Sequence, residues 1–463
     1  PVTINQYEST KFVAFPYAVS SYDNLQDSAE YQAGLDLFWS LGNGRELNMT
    51  VNPDFGQVES DEVVINFSPV ETRLSDKRPF FAENQGLFKV SSGHNYSLIN
   101  TRRIGRSPDY NCDEYSAENG GSDDLQDSCE NQQKANNDID MALKFTQLGE
   151  HTDVGFFAAF EDDETFSKGR EFYVIRVLRR LNQHKLGYLA THVERDALDR
   201  SATVHAFDYE NKATEALILN SSLIYSDTSD DSGYGMRISM NYDPNKFWNT
   251  GVYYGRFDDE LNINDMGYQS RNNLSKFRTF TSYTQTDFLT TSKILERSYT
   301  FSFSKEANTH GLQLVQRTNF NFSQSFKDTS GFEIKVGLDS SGNNDLLTRG
   351  SVLAPFVKFG QEKELALTYY SRQNERWSYW GHIEKERQSY PSFTDSVKSI
   401  GLGGNYYPSD VLKFSMSINK TESTSWINWL GDNKIGVYPL DRFSIRVNAT
   451  WFPKENHELR IKF

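Results

Sequence analysis

The residues with the clearest chemical potential are two cysteines, Cys112 and Cys129, the only ones in a chain of 463 residues. They lie in a polar stretch that has no histidine nearby. A structural zinc site needs four nitrogen or sulfur ligands, so two isolated cysteines do not supply one. A disulfide bond, which persists in oxidising compartments, fits them better. We therefore predict a Cys112–Cys129 bond that closes a long acidic loop of residues 106–137.

Carboxylates in the same loop are candidate ligands for calcium, which prefers oxygen donors. Between residues 111 and 137 the only basic side chain is Lys134, against seven acidic side chains. Their spacing matches no calcium-binding loop, so a solvated acidic surface is the competing interpretation. The candidate ligands are Asp113, Glu114, Asp123, Asp124 and Asp127.

Histidine chemistry has no recognisable motif in this chain. The eight histidines are scattered, and there is no His-Glu-x-x-His, Gly-x-Ser-x-Gly or glycine-rich phosphate-binding pattern. His192 with Glu194, and His382 with Glu384, would share one face of a β-strand, because side chains alternate along a strand. We predict no cofactor and no catalytic residue, and we keep a hydrolase assembled from separate strands as an alternative.

The composition excludes several classes of protein. Mean hydropathy is −0.65, and the longest apolar run, residues 154–160, is far shorter than the roughly 18 residues of a membrane-spanning helix. The formal net charge of −15 argues against a nucleic acid as partner. Aromatic residues make up 14% of the chain, whereas disordered proteins are poor in them.

Apolar residues recur at every second position in segments of about ten residues, which is the pattern of a β-strand with one apolar and one polar face. This pattern fits either a soluble β-sandwich or a membrane β-barrel. Segments such as 169–181, 184–195, 275–287, 293–306 and 310–325 are longer than the five or six residues of typical soluble strands. They match the roughly 9–11 residues that a tilted strand needs to cross a bilayer.

We therefore predict an all-β fold, a transmembrane antiparallel β-barrel of the bacterial outer membrane that forms a single domain over residues 1–463. At about 20–23 residues per strand and connection, the barrel would have about 20 strands, an even number in the range of about 16–24. Tight turns at 43–44, 243–245 and 408–410 would alternate with longer loops at 106–137, 258–273 and 388–395, and the acidic loop 106–137 would be extracellular. A leader for export would lie outside this sequence.

Residues 54–94 interrupt the alternation with mixed charges and with prolines at positions 69 and 79. A connection of this length is uncommon unless it is functional. We predict that it folds into the lumen as a plug whose carboxylates pair with basic side chains, including Arg176 on a strand. An external loop without a special role is the alternative. The predicted plug and gating residues are Asp54, Glu59, Asp61, Glu71, Arg73, Lys77, Arg78, Glu83, Arg102, Arg103 and Arg106.

Three blocks of this region resemble one protein family: NPDFGQVESD at 52–61, KRPFF at 77–81 and TRRIGR at 101–106. The family is an outer-membrane β-barrel domain of unknown function that often follows a family-9-type carbohydrate-binding module in Gram-negative bacteria. Ala82 and Asn84 depart from the leucine and glycine that are usual there. The resemblance implies an outer-membrane location and points to glycan-related work, and it assigns no catalytic residues.

These features predict passage or surface export of a hydrophilic substrate through a plugged polar lumen. The candidate substrates are a glycan, a glycan-linked molecule or a surface protein. One alternative is a non-conducting anchor that displays loops or an adjacent carbohydrate-binding domain, and another is an outer-membrane hydrolase at the barrel rim. The expected partners are outer-membrane lipids and lipopolysaccharide, a periplasmic or surface protein, and a glycan ligand.

Overall fold

The computed structural model describes residues 10–23, 28–53, 70–83, 85–92, 96–134, 136–348, 356–373, 376–431, 433–454 and 457–462. The chain divides into two compact units. Unit 1 consists of Pro1–Lys212, Leu219–Ile238 and Arg256–Asn273, and unit 2 of Ala213–Ile218, Ser239–Gly255 and Leu274–Phe463. Among the described residues, none of the helices has the length and apolar character needed to cross a bilayer.

Unit 1 combines long strands with short helices. Its strands are β1 (Lys11–Asp23), β2 (Ser28–Gly42), β3 (Arg45–Val51), β4 (Ser91–Ser92), β5 (Tyr96–Ser97), β6 (Ile139–Leu148), β7 (Thr152–Glu161), β8 (Glu171–Leu181) and β9 (His184–Arg195). Four further strands contribute residues to both units: β10 (Arg200–Thr214), β11 (Leu217–Thr228), β12 (Ser232–Asn245) and β13 (Trp248–Phe257). The short strand β14 (Tyr268–Gln269) belongs to unit 1.

The helices lie in the long connection between β3 and β6 in unit 1. They are α1 (Pro79–Ala82), α2 (Gln85–Phe88), α3 (Cys112–Glu118) and α4 (Asp123–Asn131). Two 3₁₀ turns occur at Thr101–Arg103 and Asp196–Leu198. The predicted loop 106–137 therefore contains two helices, whose first turns are capped by the side chains of Asn111 and Ser122.

Unit 2 consists of long antiparallel strands with two short ones. They are β15 (Leu274–Gln285), β16 (Ile294–Ala307), β17 (Gln313–Phe326), β18 (Gly331–Asp339), β19 (Gly342–Asn344), β20 (Val357–Phe359), β21 (Glu362–Tyr370), β22 (Trp377–Ser389), β23 (Thr394–Ser409), β24 (Leu412–Gly431), β25 (Lys434–Lys454) and β26 (His457–Lys462).

The all-β fold predicted from the alternation is confirmed. The predicted segment 184–195 coincides with β9, and the segments at 293–306 and 310–325 match β16 and β17 within a few residues. The predicted turn at 243–245 is wrong, because these residues end β12. The chain reverses at residues 246–247, where the side chain of Asn245 accepts hydrogen bonds from the backbone N–H groups of Phe247 and Trp248.

Strand pairing in unit 1 runs β1, β2, β3, β6, β7, β8, β9 and β10, each antiparallel to the next. Directly opposite residues share one face of an antiparallel sheet. One row consists of Leu47, Phe145, Phe156 and Ile175. We call its face the belt face. The adjacent row on the other face consists of Asn48, Lys144, Phe157 and Val174. We call that face the insert face.

In unit 2, β15, β16, β17, β18, β21, β22, β23, β24, β25 and β26 pair in that order, again antiparallel. The belt face of this unit carries the row Phe301, Phe320, Val336 and Leu365. The opposite face, which we call the polar face, carries the row Thr300, Asn321, Lys335, Ala366, Glu384, Ser399 and Thr421.

The belt faces expose large apolar side chains that no soluble sheet would leave open. Phe156 is 37% exposed, Phe207 57%, Leu365 57% and Leu402 59%. Contiguous apolar surface on strands of this length is the outer surface of a membrane-spanning β-sheet, where acyl chains replace water. The predicted soluble alternative, in which such faces would meet in a core, does not describe these strands.

Candidate functional site

The described residues from 70 to 106 pack on the insert face of unit 1, and we call them the insert. The insert contains the described part of the plug predicted at residues 54–94, together with the predicted gating residues Arg102, Arg103 and Arg106. One buried core contains Phe80 and Phe81 of α1, Phe88 of α2, and Phe157 and Phe172 of the sheet. Burying a large aromatic side chain stabilises by about 1.5–3 kcal/mol. The insert is therefore held by an apolar core of its own, not by charges alone.

A glycine on β7 allows this close packing. A Cβ atom at Gly155 would lie 2.6 Å from the ring of Phe88, closer than real Cβ contacts come. Because Gly155 has no side chain, the ring of Phe88 can approach the backbone of β7 where α2 meets the sheet. We infer that position 155 determines how near the insert lies to β7.

Polar side chains of the insert face bind the backbone of the insert. The ammonium group of Lys144 donates to the carbonyl oxygens of Phe80, at 2.5 Å, and Glu83, at 2.8 Å. The side-chain amide of Asn48 donates to the Glu83 carboxylate at 3.1 Å. The two Lys144 contacts satisfy backbone carbonyl groups in and just after α1, which would otherwise be buried without partners.

Arg176 was predicted to pair with a plug carboxylate, and that prediction is wrong. Its guanidinium group forms a two-pronged ion pair with Asp208 on β10, at 2.5 and 3.0 Å. The remaining Nε–H donates to the backbone carbonyl of Leu87 in the insert at 3.2 Å. A buried guanidinium needs a nearby counter-charge, and Asp208 on the same sheet supplies it without an insert carboxylate.

Arg78 is the centre of the insert. Its guanidinium group donates to both oxygens of Asp76, at 2.9 and 2.7 Å, and to the carbonyl oxygens of Ile104 and Thr101, at 2.9 and 2.6 Å. The Thr101 hydroxyl donates to Asp76 at 2.7 Å. The side chains of Arg78 and Asp76 are both under 10% exposed. Arg78 therefore joins the segment around Asp76 to the segment Thr101–Ile104 through a buried network.

Glu71 forms a second junction, with Arg103 and Arg106. Arg103 donates to both Glu71 oxygens, at 3.0 and 2.7 Å, and to the Gly267 carbonyl at 3.0 Å, while Arg106 reaches Glu71 at 2.9 Å. The Tyr268 hydroxyl donates to the Glu71 carbonyl at 3.1 Å. Burial, with the nearby Glu71 charge, raises the pKa of Tyr268. The insert is thus tied to the connection of residues 258–273, which also pairs with it through β14 and β5.

A chain of alternating charges fixes the same connection to the sheet. Arg195 at the end of β9 donates two hydrogen bonds to Asp109, at 2.7 and 2.6 Å, and one to Asp265 at 2.7 Å. Arg200 at the start of β10 donates to both Asp265 oxygens, at 3.2 and 3.0 Å, and to Asp230 at 2.7 Å. Burial alone would raise the pKa of Asp265, but the hydrogen bonds from Arg200 and Arg195 outweigh it and lower that pKa.

This lowered pKa predicts acid release of the connection of residues 258–273. A carboxyl group whose pKa is lowered in the folded state stabilises the fold at pH values above its ordinary pKa of about 3.9. This contribution is lost as the pH falls through the folded-state pKa. We expect pepsin to cut near Met266 in wild type only when the pH falls below the ordinary range of a carboxyl pKa. Asp265→Asn, which lacks the charge at every pH, should already be cut at pH 5, where wild type is protected. Equal protection of both proteins at pH 5 would contradict the assignment.

The structure brings together most of the predicted plug residues that it describes. Glu71, Arg103 and Arg106 meet directly, Glu83 binds Asn48, and the Arg73 guanidinium lies 5.8 Å from the Tyr268 ring centroid. Lys77 and Arg102 lie in the same insert and are partly exposed. The predicted residues Asp54, Glu59 and Asp61 lie outside the described residues.

Sequence reasoning missed Lys144, Asp109 and Asp265. Lys144 has a recognisable signal, because a lysine in the middle of the apolar strand β6 needs buried partners. The two aspartates carry no local signal, since their partners Arg195 and Arg200 are 65 to 86 residues away in the chain.

The predicted disulfide bond is present between Cys112 and Cys129, whose Cα atoms are 5.7 Å apart. It joins α3 to α4 within a small core that includes Phe166 and packs against Tyr115. We expect the double variant Cys112→Ser, Cys129→Ser to lose about 3 kcal/mol of stability in this helical pair alone. Chymotrypsin should then cut at Tyr115 while the sheet stays folded. Resistance equal to that of wild type would show that the helices do not need the bond.

The five candidate calcium ligands in these helices do not converge. Among the described residues, the group of three acidic side chains at ligand spacing is Glu364, Glu384 and Glu386, on the polar face of unit 2. Asp113 instead accepts a hydrogen bond from Gln126 at 2.7 Å. At residues 113–127 the structure shows an exposed helical surface with scattered acidic side chains.

The two predicted histidine–carboxylate pairs do meet. His192 contacts Glu194 at 2.6 Å and the Thr203 hydroxyl at 2.7 Å, and His382 contacts the Thr368 hydroxyl at 2.9 Å. In both cases the threonine is the residue directly opposite on the neighbouring strand. An oxyanion hole needs N–H groups that are free of the ladder, and a regular strand pair uses them for pairing. We read the histidine–threonine contacts as cross-strand hydrogen bonds, and each carboxylate as a neighbour two residues along the same strand, with Glu384 3.7 Å from His382.

The polar face of unit 2 is lined by side chains that hydrogen-bond to one another across strands. Ser282 contacts Thr300 at 2.7 Å, and Ser399 contacts Thr421 at 3.1 Å. Ion pairs add charge to this face, such as Lys335 with Glu364 at 2.5 Å. These side chains are partly exposed. A sheet with acyl chains on one face and hydroxyl, amide and charged groups on the other is built to have water on the second face.

Long antiparallel strands, an exposed apolar belt and a hydrophilic opposite face define a transmembrane β-sheet protein of the bacterial outer membrane, as the alternation predicted. The sequence from residue 9 to residue 448 matches the family model described as Domain of unknown function (DUF5916), and the chain belongs to this family. The family membership predicted from the three blocks at 52–106 is therefore confirmed.

Comparison with solved structures finds several proteins of distant similarity. OpdL from Pseudomonas aeruginosa is 12% identical, with a TM-score of 0.40, over 72% of this chain and 94% of that one. The siderophore receptor PirA from Acinetobacter baumannii is 7% identical, with a TM-score of 0.46, over 99% and 76%. A bacterial polysaccharide outer membrane secretin is 12% identical, with a TM-score of 0.32, over 66% and 100%. No curated protein matches the sequence significantly.

Proposed function

We propose that this chain closes into an outer-membrane β-barrel that lets a small hydrophilic solute pass, with the insert as a constriction in its lumen. The observation that carries the proposal is the polar face of unit 2. Its hydroxyl, amide and charged side chains run across successive strands, opposite a belt that faces lipid. A face of this kind is costly to build unless it is hydrated.

The anchoring of the insert narrows the range of substrates. Its core with Phe157 and Phe172 and its buried Arg78 network both attach it to the rest of unit 1. A constriction that stays in place passes an oligosaccharide or another small polar molecule in preference to a folded surface protein. The association with glycans rests on the family resemblance and is part of the proposal.

The test is conductance of the full chain in planar bilayers, with swelling of liposomes in sugars of graded size. We expect small discrete conductance steps for wild type and larger steps for a variant that lacks residues 57–90. The heat-modifiable migration typical of folded barrels should be checked for both proteins. A folded wild type and a folded deletion variant that both fail to conduct would refute passage.

That failure would favour the second candidate function, a non-conducting anchor that displays loops or an attached domain. The extensive insert core of unit 1 is the observation in its favour, because a sheet covered in this way can serve as a rigid support. If the protein is a non-conducting anchor, a variant with Arg78 replaced should still show no conductance.

A further inference from the structure

The belt face of unit 2 carries four cations side by side at one end of its apolar surface. They are Lys363 on β21, Lys385 and Arg387 on β22, and Lys398 on β23, and all four are exposed. We call them the basic patch. Lys363 lies directly opposite Arg387, and Lys385 directly opposite Lys398. Directly opposed like charges destabilise a sheet, so two adjacent pairs indicate that an anion offsets their repulsion.

The chain itself does not supply that anion within the part that the structure describes. No described carboxylate lies within 4.0 Å of any of the four cations. The nearest candidate by register is Glu422, which lies opposite Lys398. Glu422 forms its ion pair with Lys420 at 2.5 Å, and the charge of Lys398 acts on it from beyond 4.0 Å. In the described part of the chain, Lys363, Lys385 and Arg387 have no carboxylate within 4.0 Å, so the basic patch remains open for an external anionic ligand.

The position of the basic patch along the strands defines where that ligand lies. On the same face, the exposed apolar side chains begin at the next step along the strands, at Leu365, Ile383 and Ile400. At the far end of this apolar surface, Trp377 stacks on Tyr406 with ring centroids 4.1 Å apart. Interfacial tryptophan and tyrosine mark the level of lipid headgroups.

The spacing between these two levels matches a bilayer. Ten residues separate Trp377 from Arg387 on β22, which is about 33 Å of strand. A strand tilt of about 40° reduces this to about 25 Å, the height of the apolar band on transmembrane barrels. The basic patch therefore lies at the opposite headgroup level from the aromatic pair.

The connections identify this level as the outer one. The longest connection between strands of unit 2, residues 340–361 between β18 and β21, lies at the end of the basic patch. The connections at the aromatic end of unit 2 have at most eight residues, as at 286–293 and 371–376, so 340–361 is the connection that distinguishes the two ends. In outer-membrane barrels the long loops are extracellular and the short turns periplasmic.

We propose that the basic patch binds the phosphate groups of the lipid anchor of lipopolysaccharide, with the acyl chains of that lipid against Leu365, Ile383 and Ile400. The outer leaflet of the outer membrane presents phosphorylated lipid at this level. Charge-assisted hydrogen bonds from Lys and Arg to phosphate are among the strongest that a protein surface makes. The proposal rests on the outer-membrane location and is independent of whether the lumen conducts.

The experiment is native mass spectrometry of the detergent-solubilised full chain with diphosphoryl lipid A, in the presence of a chelator so that no divalent cation bridges phosphates. The test variant replaces Lys363, Lys385, Arg387 and Lys398 with glutamine. The control variant also removes four exposed cations, but from elsewhere: Lys212, Lys246, Lys434 and Lys454. We expect lipid A affinity to fall by about tenfold or more in the test variant and to stay within about twofold in the control.

Two further arms identify the source of the anion. Dephosphorylated lipid A should bind the wild-type chain about as weakly as lipid A binds the test variant. Phosphatidylglycerol, an anionic lipid with a single phosphate, should lose less affinity in the test variant than lipid A does. Equal loss of lipid A binding in test and control variants, or binding that ignores the lipid A phosphates, would overturn the proposal.

Discussion

Replacing Arg78 with alanine is expected to release the insert. The substitution removes the partner of Asp76 and the donor to the Ile104 and Thr101 carbonyls, all within a buried network. Removing one member of a buried ion pair costs about 3–5 kcal/mol, because the other charge stays buried without compensation. We expect trypsin to cut within the insert under conditions where wild type resists, and single-channel conductance to rise.

Two controls give this result a specific meaning. Arg372→Ala removes an exposed arginine from a connection of unit 2 and should change neither protease resistance nor conductance. The double variant Asp76→Asn, Arg78→Met removes both charges, so it should lose less stability than Arg78→Ala. An Arg78→Ala protein with an intact, protected insert and wild-type conductance would show that the apolar core suffices.

Neutralising Glu364, Glu384 and Glu386 together is expected to reduce cation selectivity. Carboxylate oxygens of the three lie within 4.8 Å of one another on the polar face. The basic partner in this group is Lys335, which contacts Glu364 at 2.5 Å. A unit charge about 7 Å from a permeating ion contributes roughly 0.6 kcal/mol in water. Replacing all three by glutamine should lower the cation-to-anion permeability ratio by about threefold or more.

The measurement is the reversal potential in a potassium chloride gradient. A matched triple variant, Asp287→Asn, Asp328→Asn and Asp410→Asn, removes three exposed acidic side chains from connections between strands. It should leave the permeability ratio close to that of wild type. A shift of equal size in both triple variants would mean that net charge, and not the polar face, sets selectivity.

The strands were predictable from the sequence because their signal is local. Side chains alternate with a period of two whether or not the partner strand is known, so 184–195 could be identified as a strand from its own residues. The insert was predictable as a break in that period. Its prolines and mixed charges cannot serve a lipid-facing strand, and that fact needs no knowledge of the fold.

The attachment of the insert was not predictable, because each contact joins distant parts of the chain. Lys144 binds the Phe80 carbonyl across 64 positions, and Arg103 binds the Gly267 carbonyl across 164. Pairing of the insert carboxylates with strand arginines was the natural expectation from charge alone. The structure instead gives Arg176 a partner on its own sheet, which is visible only once the register of β8, β9 and β10 is known.

One sequence feature did contain information about the insert face. The run Val154-Gly155-Phe156-Phe157-Ala158-Ala159-Phe160 lacks polar residues at alternate positions. A strand that is apolar on both faces must be covered on both. In β7 lipid covers Phe156 on one side, and the insert covers Phe157 and Ala159 on the other.

This doubly apolar strand has a consequence for assembly of the protein in the membrane. Until the insert docks, β7 presents apolar side chains on both faces, and lipid could cover either one. The insert lies between β3 and β6, so it is close in the chain to the strand that it covers. Docking of the insert onto Phe157 and Ala159 therefore decides which face of β7 is left for the bilayer.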